Sequence, residues 1–477
     1  MKITLCALNG SHAHSALAVR CLKTALHEGG FDAEIVEGNL RDRTLSVLSR
    51  LAAQNADLYG FSCYIWNIDE MLSLAQSLKA IRPDCRILLG GPEVSYDTAR
   101  FDALPFIDHI ITGEGEQSIV ALARDLQAGN TPARVIAGTP DKSFAARGIH
   151  YAKNQPVAPL VYYESSRGCP FSCAFCLSSA VQGVRAKSAE QTLAELAEFE
   201  QLEGHFTVKL VDRTFNFDRE RAKTIWRGLL NEKYTKCYHF EIAAHLLDEE
   251  CFEILGRFPK GKVRLEIGLQ STNEKTLAAV SRHTDAAAVL AAAKRLTEQN
   301  ACHVHLDLIA GLPHEDLQSF ARSFDAAYPC CHELQLGFLK LLHGTPLRRD
   351  AATFGAVFEA ISPYTVLKTD VLSFEDVCLL HRISDLTERL HDSGRFAHSL
   401  PFILSFCPSP FAFFAEFDAY LDAKTGKELQ KTSQRDLFWH LSGFAKSKLP
   451  ESAQETLSTL LRADFSAAEV RRPPKGL

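Results

Sequence analysis

Residues 166–176 read SRGCPFSCAFC, which places Cys169, Cys173 and Cys176 in the spacing C-x3-C-x2-C. Three thiolates on one short loop can hold three irons of a [4Fe–4S] cluster, whose irons need four ligands in all. The fourth iron would keep an open position, which is typical of a catalytic metal site. A zinc site needs a fourth nitrogen or sulfur ligand nearby, and the 25 residues after Cys176 contain no cysteine or histidine. The spacing therefore favours an iron–sulfur cluster.

The composition is typical of a globular protein. The chain has 477 residues, of which 46% are hydrophobic and 23% charged, and this length indicates about three domains. The net charge of −6 gives no electrostatic reason to expect nucleic acid as a partner. No apolar run reaches the roughly 18 residues that span a bilayer. Without a secretion signal, most of the 14 cysteines are expected to be buried thiols in a reducing cytoplasm.

Strand-like and helix-like segments alternate over the first 150 residues, which predicts a doubly wound parallel sheet. The expected strands are Ile3–Leu8, Ala33–Val36, Leu58–Ser62, Ile87–Leu89 and His109–Ile111. The expected helices are Ala16–His27, Ile68–Ile81 and Glu116–Leu126. Ligands of such sheets bind at the carboxyl ends of the strands. Because the chain lacks the G-x-G-x-x-G and G-x4-G-K-[ST] motifs there, a dinucleotide or phosphate loop is not expected.

The loops after these strands resemble those of the cobalamin-binding domain that precedes the barrel in many radical enzymes. In that family, a serine after the third strand and a Gly-Gly pair after the fourth line a slot for the nucleotide tail. Ser62, Gly90 and Gly91 stand at these positions. Glycines lack Cβ atoms, so the backbone can approach a flat ligand closely. Gly10 and Glu114, in the loops after the first and fifth strands, are further candidates for contact with cobalamin.

Two histidines stand where the family carries its D-x-H-x-x-G signature, whose histidine binds cobalt. The signature is not intact, because residues 11–16 read SHAHSA. Either His12 or His14 could ligate cobalt, or both could be ordinary loop residues. The alternative for the whole domain is a flavodoxin-like docking domain that has lost its cofactor.

Residues 129–160 are rich in glycine and proline, which indicates a linker, and a strand–helix alternation follows. The expected strands are Leu160–Glu164, Thr207–Val211, His239–Ala243, Val263–Leu269, His303–Leu308 and Leu334–Leu341. The helices expected between and after them are Ala189–Leu202, Arg219–Leu230, Asp248–Leu255, Asn273–Val280, Ala286–Glu298 and Leu317–Ala327. Six such strands predict a partial parallel barrel with its site at the C-terminal mouth.

The last part of the chain is expected to be mostly helical. Strand patterns fade after Pro346, and the expected helices are Phe374–Asp392, Asp436–Phe444 and Ala453–Arg462. The predicted domains are a cobalamin-binding domain at 1–140, a linker at 141–159, a barrel at 160–345 and a helical extension at 346–477. The extension resembles one found in a subgroup of cobalamin-dependent radical enzymes, and the biochemical role of that extension is uncharacterised.

With the cysteine triad directly after the first barrel strand, residues 155–345 resemble the radical S-adenosylmethionine (SAM) superfamily, in its cobalamin-dependent branch. In that family the open iron binds the amino and carboxylate groups of SAM. The resemblance places Phe175 near the adenine. Residues 211–213 depart from the family's glycine-glycine-glutamate turn, so Asp212 is expected either to bind the SAM ammonium or to form a salt bridge. Further contacts are expected from the ends of the fourth and fifth strands, at Gln270, Ser271, Ile309, Gly311 and Leu312. For Ile309 and Leu312, ordinary core packing is the alternative.

The resemblance implies a methyltransferase that acts on an unactivated carbon. A 5′-deoxyadenosyl radical from SAM would take a hydrogen from the substrate, and methylcobalamin would supply the methyl group. A second hypothesis keeps both cofactors but catalyses a cyclisation, rearrangement or oxidation without methyl transfer. A third is a cobalamin-binding regulatory protein with an inactive barrel, against which the intact triad argues. The expected partners are a small-molecule or peptide substrate and an electron donor such as ferredoxin or flavodoxin.

Overall fold

The structure, a computed structural model, describes residues 1–141, 143–151, 157–180, 183–426 and 432–468. The chain divides into two compact units. The first unit comprises Met1–Glu241, Lys340–Arg349 and Glu359–Thr365. The second comprises Ile242–Leu339, Asp350–Phe358 and Val366–Leu477. Parts of the expected linker and the end of the C-terminal extension lie outside the described residues.

The N-terminal part of the first unit is a six-stranded parallel sheet. Its strands are β1 (Ile3–Asn9), β2 (Ala33–Asn39), β3 (Leu58–Ser62), β4 (Arg86–Gly90), β5 (His109–Thr112) and β6 (Val135–Ala137). Their order is β2-β1-β3-β4-β5-β6, and each neighbouring pair is parallel. The connecting helices are α1 (Leu17–Glu28), α2 (Thr44–Gln54), α3 (Ile68–Ile81) and α4 (Glu116–Gln127). The predicted doubly wound sheet is therefore confirmed.

The central strands form because both of their faces are covered. All five residues of β3 are buried, with Leu58 in the hydrophobic core on one face and Tyr59 and Phe61 in the core on the other. Such continuous apolar runs are typical of parallel strands between helices. Two elements were not predicted from the sequence. The helix α2 buries only Val47 and Leu51, and β6 has no buried residue.

A second parallel sheet contains six strands among the described residues. The strands are β7 (Leu160–Tyr163), β10 (Thr207–Leu210), β11 (Cys237–Ile242), β12 (Val263–Gln270), β13 (His303–Ala310) and β14 (Glu333–Phe338). The first three lie in the first unit, where β10 pairs with β7 and β11. The other three lie in the second unit, where β13 pairs with β12 and β14. The number of strands and their parallel pairing agree with the prediction.

Helices alternate with these strands along the chain, as predicted. They are α5 (Ala189–Phe199), α6 (Arg219–Leu229), α7 (Glu249–Leu255), α8 (Glu274–Ala279), α9 (Ala286–Gln299) and α10 (Leu317–Ala327). All six begin at an N-cap residue whose side chain accepts a backbone N–H. These residues are Ser188, Asp218, Asp248, Asn273, Asp285 and Asp316. This cap satisfies a donor that the first helical turn leaves unpaired.

A short hairpin brackets the cysteine triad. Its strands, β8 (Ser166–Gly168) and β9 (Val184–Ala186), are antiparallel, and Gly168 pairs with Val184. Gly168 has φ +99°, and a Cβ atom there would overlap the carbonyl oxygen of Gly183. Only glycine fits this close crossing. The residues between the two strands, whose described part is 169–180, are called the cysteine loop below.

The C-terminal region is mostly helical, as predicted. Its helices are α11 (Pro346–Arg349), α12 (Phe374–Thr387), α13 (Ser399–Leu404), α14 (Pro410–Thr425), α15 (Gln434–Lys448) and α16 (Glu451–Ala468). A small antiparallel pair, β15 (Val357–Phe358) and β16 (Val366–Lys368), accompanies them. Helix α14 was not predicted, although Ser409 caps it and Pro410 occupies its first turn, where proline is well tolerated. Among the described residues, no helix has the length and apolar character needed to cross a membrane.

Candidate functional site

The cysteine loop places three thiols on one short connection. Cys173 is buried, and Cys169 and Cys176 are partly exposed. The backbone N–H of Ser178 donates to Cys176 Sγ at 3.4 Å, and Thr214 Oγ1 lies 3.5 Å from Cys169 Sγ. Hydrogen bonds to sulfur are one of the means by which a protein tunes an iron–sulfur cluster. The donor set of this loop therefore fits thiolate ligation.

Cysteines elsewhere are in different surroundings. Burial raises the pKa of Cys6 and of Cys302 to about 12, so these thiols stay protonated. In the described part of the chain, no group of three or more His, Cys, Asp or Glu side chains is arranged around a single metal ion. A cubane does not require such a group, because each of its cysteines binds a different iron.

One partly buried arginine lies next to the cysteine loop and is bound by three carboxylates. Arg167 donates from Nη1 to Glu114 at 2.8 Å and from Nη2 to Glu116 at 2.8 Å and to Glu164 at 2.7 Å. Burial alone would lower the pKa of Arg167, but its hydrogen bonds and ion pairs with Glu164 and Glu116 outweigh burial and raise it. The guanidinium therefore stays charged and links the hairpin that carries the cysteines to the loop after β5.

A second arginine of the same hairpin strengthens this link. Arg185 in β9 forms an ion pair with Glu114 and donates to the carbonyl of Asp141 at 2.8 Å. The backbone N–H of Asp141 donates to Glu114 at 2.8 Å. Glu114, a predicted contact of cobalamin, is thus held by two arginines and one backbone amide. Residues 113–116, which contain Glu114 and Glu116, are called the β5 loop.

The glycines predicted to line a cobalamin slot differ in their surroundings. A Cβ atom built on Gly10 would meet no atom within 4 Å, and on Gly90 it would approach only Ile111 O, at 3.9 Å. Gly91 has φ +112°, and a Cβ atom there would lie 2.5 Å from the carbonyl oxygen of Cys63. Gly10 and Gly90 therefore leave open space for a flat ligand, whereas Gly91 permits the close crossing of two loops. Ser62 ends β3 and is buried beside them.

The two histidines after β1 have separate partners. The His12 ring is 80% exposed, and its Nε2 lies 2.9 Å from Asn39 Nδ2. The His14 ring stacks on Tyr162, whose hydroxyl lies 2.8 Å from His14 Nδ1. Any bond from His14 to cobalt would therefore use Nε2. Ligation of cobalt by either histidine stays a prediction.

Asp212 lies at the end of β10 and is completely buried. Its carboxylate accepts hydrogen bonds from the backbone N–H and the hydroxyl of Ser165, at 3.2 and 2.8 Å. Burial raises the pKa of Asp212, against the opposing effect of hydrogen bonds and of Arg221. Asp212 therefore holds the chain between β7 and β8, and its contact with SAM stays a prediction. Phe175, predicted to lie near the adenine, is partly exposed on the cysteine loop.

In the second unit, Gln270 shows the features of a ligand-binding residue. It ends β12 with φ +72°, which is uncommon for a residue other than glycine, and a register shift separates it from Gly268. Its Oε1 is buried and has no hydrogen-bond partner among the described residues. A Cβ atom at Gly268 would overlap Gln270 Nε2, so this glycine makes room for the amide. A buried acceptor of this kind suits a residue that binds a ligand.

Its neighbour Ser271 is occupied differently. Ser271 is fully buried, its hydroxyl donates to Glu315, and it accepts the backbone N–H of Asn273 at 2.9 Å. This arrangement closes the turn into α8. The prediction that Ser271 contacts SAM is not tested by this geometry.

The predicted apolar contacts after β13 also have local roles. Leu312 is fully buried, whereas Ile309 is partly exposed. Gly311 has φ +86°, and a Cβ atom there would lie 2.5 Å from Val366 Cγ1. The packing of Val366 therefore accounts for this glycine.

Several residues of this region were not predicted from the sequence as functional. Arg167 and Arg185 flank the cysteines, and Glu93 follows Gly90-Gly91-Pro92 in the chain. Tyr364 follows Ser362-Pro363 in the chain and is buried. The pattern around each residue marks a loop, but it gives no sign of the partner.

Comparison with known families defines the class of protein. Residues 5–123 match the B12 binding domain, residues 163–327 the Radical SAM superfamily, and residues 352–476 a protein family of unknown function, DUF4080. The chain therefore combines a B12-binding domain, a radical SAM domain and a DUF4080 domain. DUF4080 covers the extension whose role is uncharacterised.

Curated proteins with similar sequences include two methyltransferases. The chain is 26% identical over 222 residues to an uncharacterized methyltransferase, PH0819, of Pyrococcus horikoshii. The alignment covers 40% of this chain and 47% of PH0819. It is 24% identical over 308 residues to the 2-(S-pantetheinyl)-carbapenam-3-carboxylate methyltransferase of Streptantibioticus cattleyicolor. That alignment covers 55% of this chain and 44% of the methyltransferase. The chain thus spans about half the length of the curated relatives it matches.

The fold is similar to that of a solved radical enzyme. The solved structure is that of OxsB, a cobalamin-dependent S-adenosylmethionine radical enzyme, with aqua-cobalamin and SAM bound. The superposition covers 99% of this chain and 82% of the OxsB chain, with a TM-score of 0.64. The two sequences are 14% identical, so the likeness concerns the fold. Together with the family matches, it supports cobalamin, a [4Fe–4S] cluster and SAM as the cofactors.

Proposed function

We propose that this chain is a cobalamin-dependent radical SAM methyltransferase that methylates an unactivated carbon of a small molecule or peptide. Both curated relatives described above are named methyltransferases. When bound, the cluster and SAM supply a radical that abstracts hydrogen, and cobalamin supplies the methyl group. The observation that carries the proposal lies in the first unit, where Arg167 joins the cysteine loop to the β5 loop of the B12-binding domain.

Three residues are assigned to the cluster, namely Cys169, Cys173 and Cys176. Their loop is bracketed by the β8–β9 hairpin, and two of the sulfurs have a hydrogen-bonding group close by. Three cysteines leave one iron without a protein ligand, which suits a site that binds SAM. The protein's part is to hold the loop rigid and to keep its sulfurs in place.

The cobalamin slot is assigned to the carboxyl end of the first sheet. Gly10 and Gly90 border open space there, Gly91 lets two loops cross, and Ser62 lies at the end of the neighbouring strand. We assign Glu114 to holding the β5 loop through its arginine pairs. The domain boundaries at 140, 159 and 345 are part of this proposal.

Two residues are assigned to SAM. Gln270 carries a buried acceptor that has no partner within the part of the chain that the structure describes, and Phe175 offers an aromatic ring on the cysteine loop. Asp212 is assigned a supporting role through Ser165. For the electron donor we propose ferredoxin or flavodoxin, and for the compartment the reducing cytoplasm, where buried thiols persist.

Anaerobic reconstitution of the full chain tests this function. The protein is loaded with iron, sulfide and hydroxocobalamin, reduced with dithionite, and given SAM with a labelled methyl group and a cell extract. Methyltransfer predicts 5′-deoxyadenosine together with a labelled product heavier than its precursor by one methylene. A product that has lost hydrogens without gaining the label would favour the non-methylating alternative. Absence of 5′-deoxyadenosine would favour a regulatory protein.

A pair of cysteine variants controls the assay. Cys169→Ala removes one assigned ligand, so iron content and 5′-deoxyadenosine should fall to background. Cys378→Ala changes a partly exposed cysteine of α12 and should behave as wild type. Equal iron content in both variants would contradict the assignment of the triad.

A further inference from the structure

A buried glutamate follows the Gly-Gly pair of the proposed cobalamin slot. Glu93 is 3% exposed and accepts hydrogen bonds from two side chains. Tyr364 donates its hydroxyl hydrogen to Glu93 Oε1 at 2.5 Å, and Arg100 Nη2 donates to the same oxygen at 2.8 Å. Arg100 Nη1 also donates to the Tyr364 hydroxyl at 2.7 Å. The three groups form a closed triangle in which both hydrogen bonds to the carboxylate end on Oε1.

The tyrosine of this triangle is held in a strained backbone conformation. Tyr364 has φ +60°, in the left-handed region, which is a genuine outlier for a bulky residue. Its ring is covered by the guanidinium of Arg348 at 4.6 Å from the ring centroid and by the His343 ring at 5.0 Å. Such strain persists only where the surroundings over-determine it. The packing thus fixes the hydroxyl opposite Glu93.

The segment around Tyr364 also reaches the loop after β3. The hydroxyl of Ser362 donates to the carbonyl of Ile65, three residues beyond Ser62. The loops after β3 and β4 are joined to each other as well. Cys63 N–H donates to Gly90 O at 2.7 Å, and Glu93 N–H donates to Cys63 O at 3.3 Å. One short segment therefore contacts both loops that border the proposed slot.

This segment, residues 359–365, is called the clamp segment. It lies within the DUF4080 match at 352–476, yet it belongs to the first compact unit together with the B12-binding domain. We infer that the clamp segment holds the loops after β3 and β4 in the arrangement that binds cobalamin, with Tyr364 as the positioning residue. This inference rests on the proposed function and gives part of DUF4080 a specific task.

The physical basis is preorganisation. Burial and the Glu93 carboxylate raise the pKa of Tyr364 to about 12, so the phenol keeps the proton that it donates. Without the hydroxyl, Glu93 keeps Arg100 but loses the bond to the clamp segment. The β3 and β4 loops then sample other arrangements, and the apparent affinity falls in proportion to the competent fraction.

The test compares two tyrosine variants of the full chain. Tyr364→Phe keeps the ring against Arg348 and His343 but removes the hydroxyl. Tyr234→Phe is the matched control, because Tyr234 is also buried and its hydroxyl also donates one hydrogen bond, to Leu193 O at 2.9 Å. Hydroxocobalamin binding is measured by equilibrium dialysis, with iron content and the unfolding midpoint measured on the same samples. Tyr364→Phe should bind hydroxocobalamin about tenfold more weakly than wild type, the factor that corresponds to the loss of one charged hydrogen bond.

The outcomes separate this inference from the proposed function. Weaker cobalamin binding by Tyr364→Phe, with iron content and unfolding midpoint equal to those of Tyr234→Phe, would support the clamp. Equal affinity of Tyr364→Phe and wild type would overturn it. Equal losses of iron, cobalamin and stability would also overturn it, because they indicate a general structural role. If wild type binds no cobalamin, the proposed function fails, and the clamp with it.

A second variant approaches the clamp from its other contact. Ser362→Ala removes the bond to Ile65 O and leaves the triangle of Glu93 intact. It should weaken hydroxocobalamin binding by a few-fold. Because both residues act through the same two loops, the double variant should lose less than the product of the single losses. Independent effects that multiply would argue against one clamp.

Discussion

Two loops of the B12-binding domain carry glutamates whose partners come from different parts of the chain. Glu93 follows β4 and is bound by Arg100 and by Tyr364, which lies 271 residues later in the DUF4080 match. Glu114 follows β5 and is bound by Arg167 and Arg185, which flank the cysteine loop. The difference indicates a division of labour in the first unit. The β5 loop is bound to the hairpin that carries the cysteine loop, and the loop after β4 is bound to a residue of the C-terminal region.

The two sites also differ in charge. At Glu93 one carboxylate faces one guanidinium and a neutral phenol, so these three groups together carry no net charge. Around Arg167, the carboxylates of Glu114, Glu116 and Glu164 share this guanidinium, and Arg185 adds a second cation at Glu114. Removal of Arg167 therefore leaves like charges close together in a partly buried place. We therefore expect substitution of Arg167 to lower the free energy of unfolding more than substitutions in the loop after β4.

The largest effect is expected from Arg167→Met. The substitution keeps an unbranched chain but leaves three carboxylates without their shared partner, which should lower the free energy of unfolding by about 3–5 kcal/mol. Because Arg167 adjoins the cysteine loop, iron content should fall as well. Anaerobic urea denaturation and iron analysis of the reconstituted protein measure both effects.

Arg167→Lys sharpens this result. Lysine restores the charge but lacks the planar fork that reaches several carboxylates at once, so stability and iron content should lie between wild type and Arg167→Met. If Arg167→Met loses less than about 1 kcal/mol, the value typical of an exposed pair, the difference between the two loops is not one of charge.

The next effect is expected at Gly91, on the β4 side. Gly91→Ala places a methyl group 2.5 Å from Cys63 O in a backbone with φ +112°, so steric overlap adds to left-handed strain. The free energy of unfolding should fall by about 3 kcal/mol, and hydroxocobalamin binding should weaken. Gly129→Ala is the control, because its φ of +79° is also left-handed but no atom lies within 4 Å. It should cost about 1 kcal/mol. Equal losses would show that the loops do not cross closely.

Much of this architecture follows from sequence patterns. The strands β3 and β4 are short apolar runs bounded by polar residues, and helices such as α3 carry regular apolar spacing, so their type and approximate place were predicted. The cysteine loop was predicted because its spacing encodes its chemistry. The predicted bounds differ from the observed ones by up to six residues, with the largest difference at the end of α16, since capping and the last turn are decided by local contacts.

The pairs that distinguish the two loops could not be predicted. A tyrosine and a glutamate 271 residues apart show no common pattern in one sequence. The pairing of Arg167 could not be predicted either, because two of its three carboxylates, Glu114 and Glu116, lie 53 and 51 residues earlier in the chain. Helix α14 was missed because Ser409-Pro410 signals a turn as well as a helix start. Tertiary contacts decide such cases.

Removal of cobalamin gives the third effect. Ligand at 100 times its dissociation constant should raise the free energy of unfolding by about 2.7 kcal/mol over the cobalamin-free protein. Hydrogen exchange should slow in the loops after β3 and β4, since preorganised loops still lose residual motion on binding. The cluster-loaded protein with and without hydroxocobalamin is the comparison. Protection confined to the β5 loop would contradict the proposed slot, because cobalamin would then bind at that loop and not at the loops after β3 and β4.

The smallest effect is expected from Arg185→Gln. Arg185 is the second cation of Glu114, and its side chain is 34% exposed, so solvent screens the pair. Arg167 still pairs with Glu114 in this variant, and the glutamine amide can still donate to a neighbouring acceptor. Stability should therefore change by less than about 1 kcal/mol, and the iron and cobalamin contents should match wild type. A loss of stability as large as that of Arg167→Met would mean that both arginines act as one unit. The guanidinium of Arg167 would then not explain by itself why the β5 loop is more sensitive to substitution than the loop after β4.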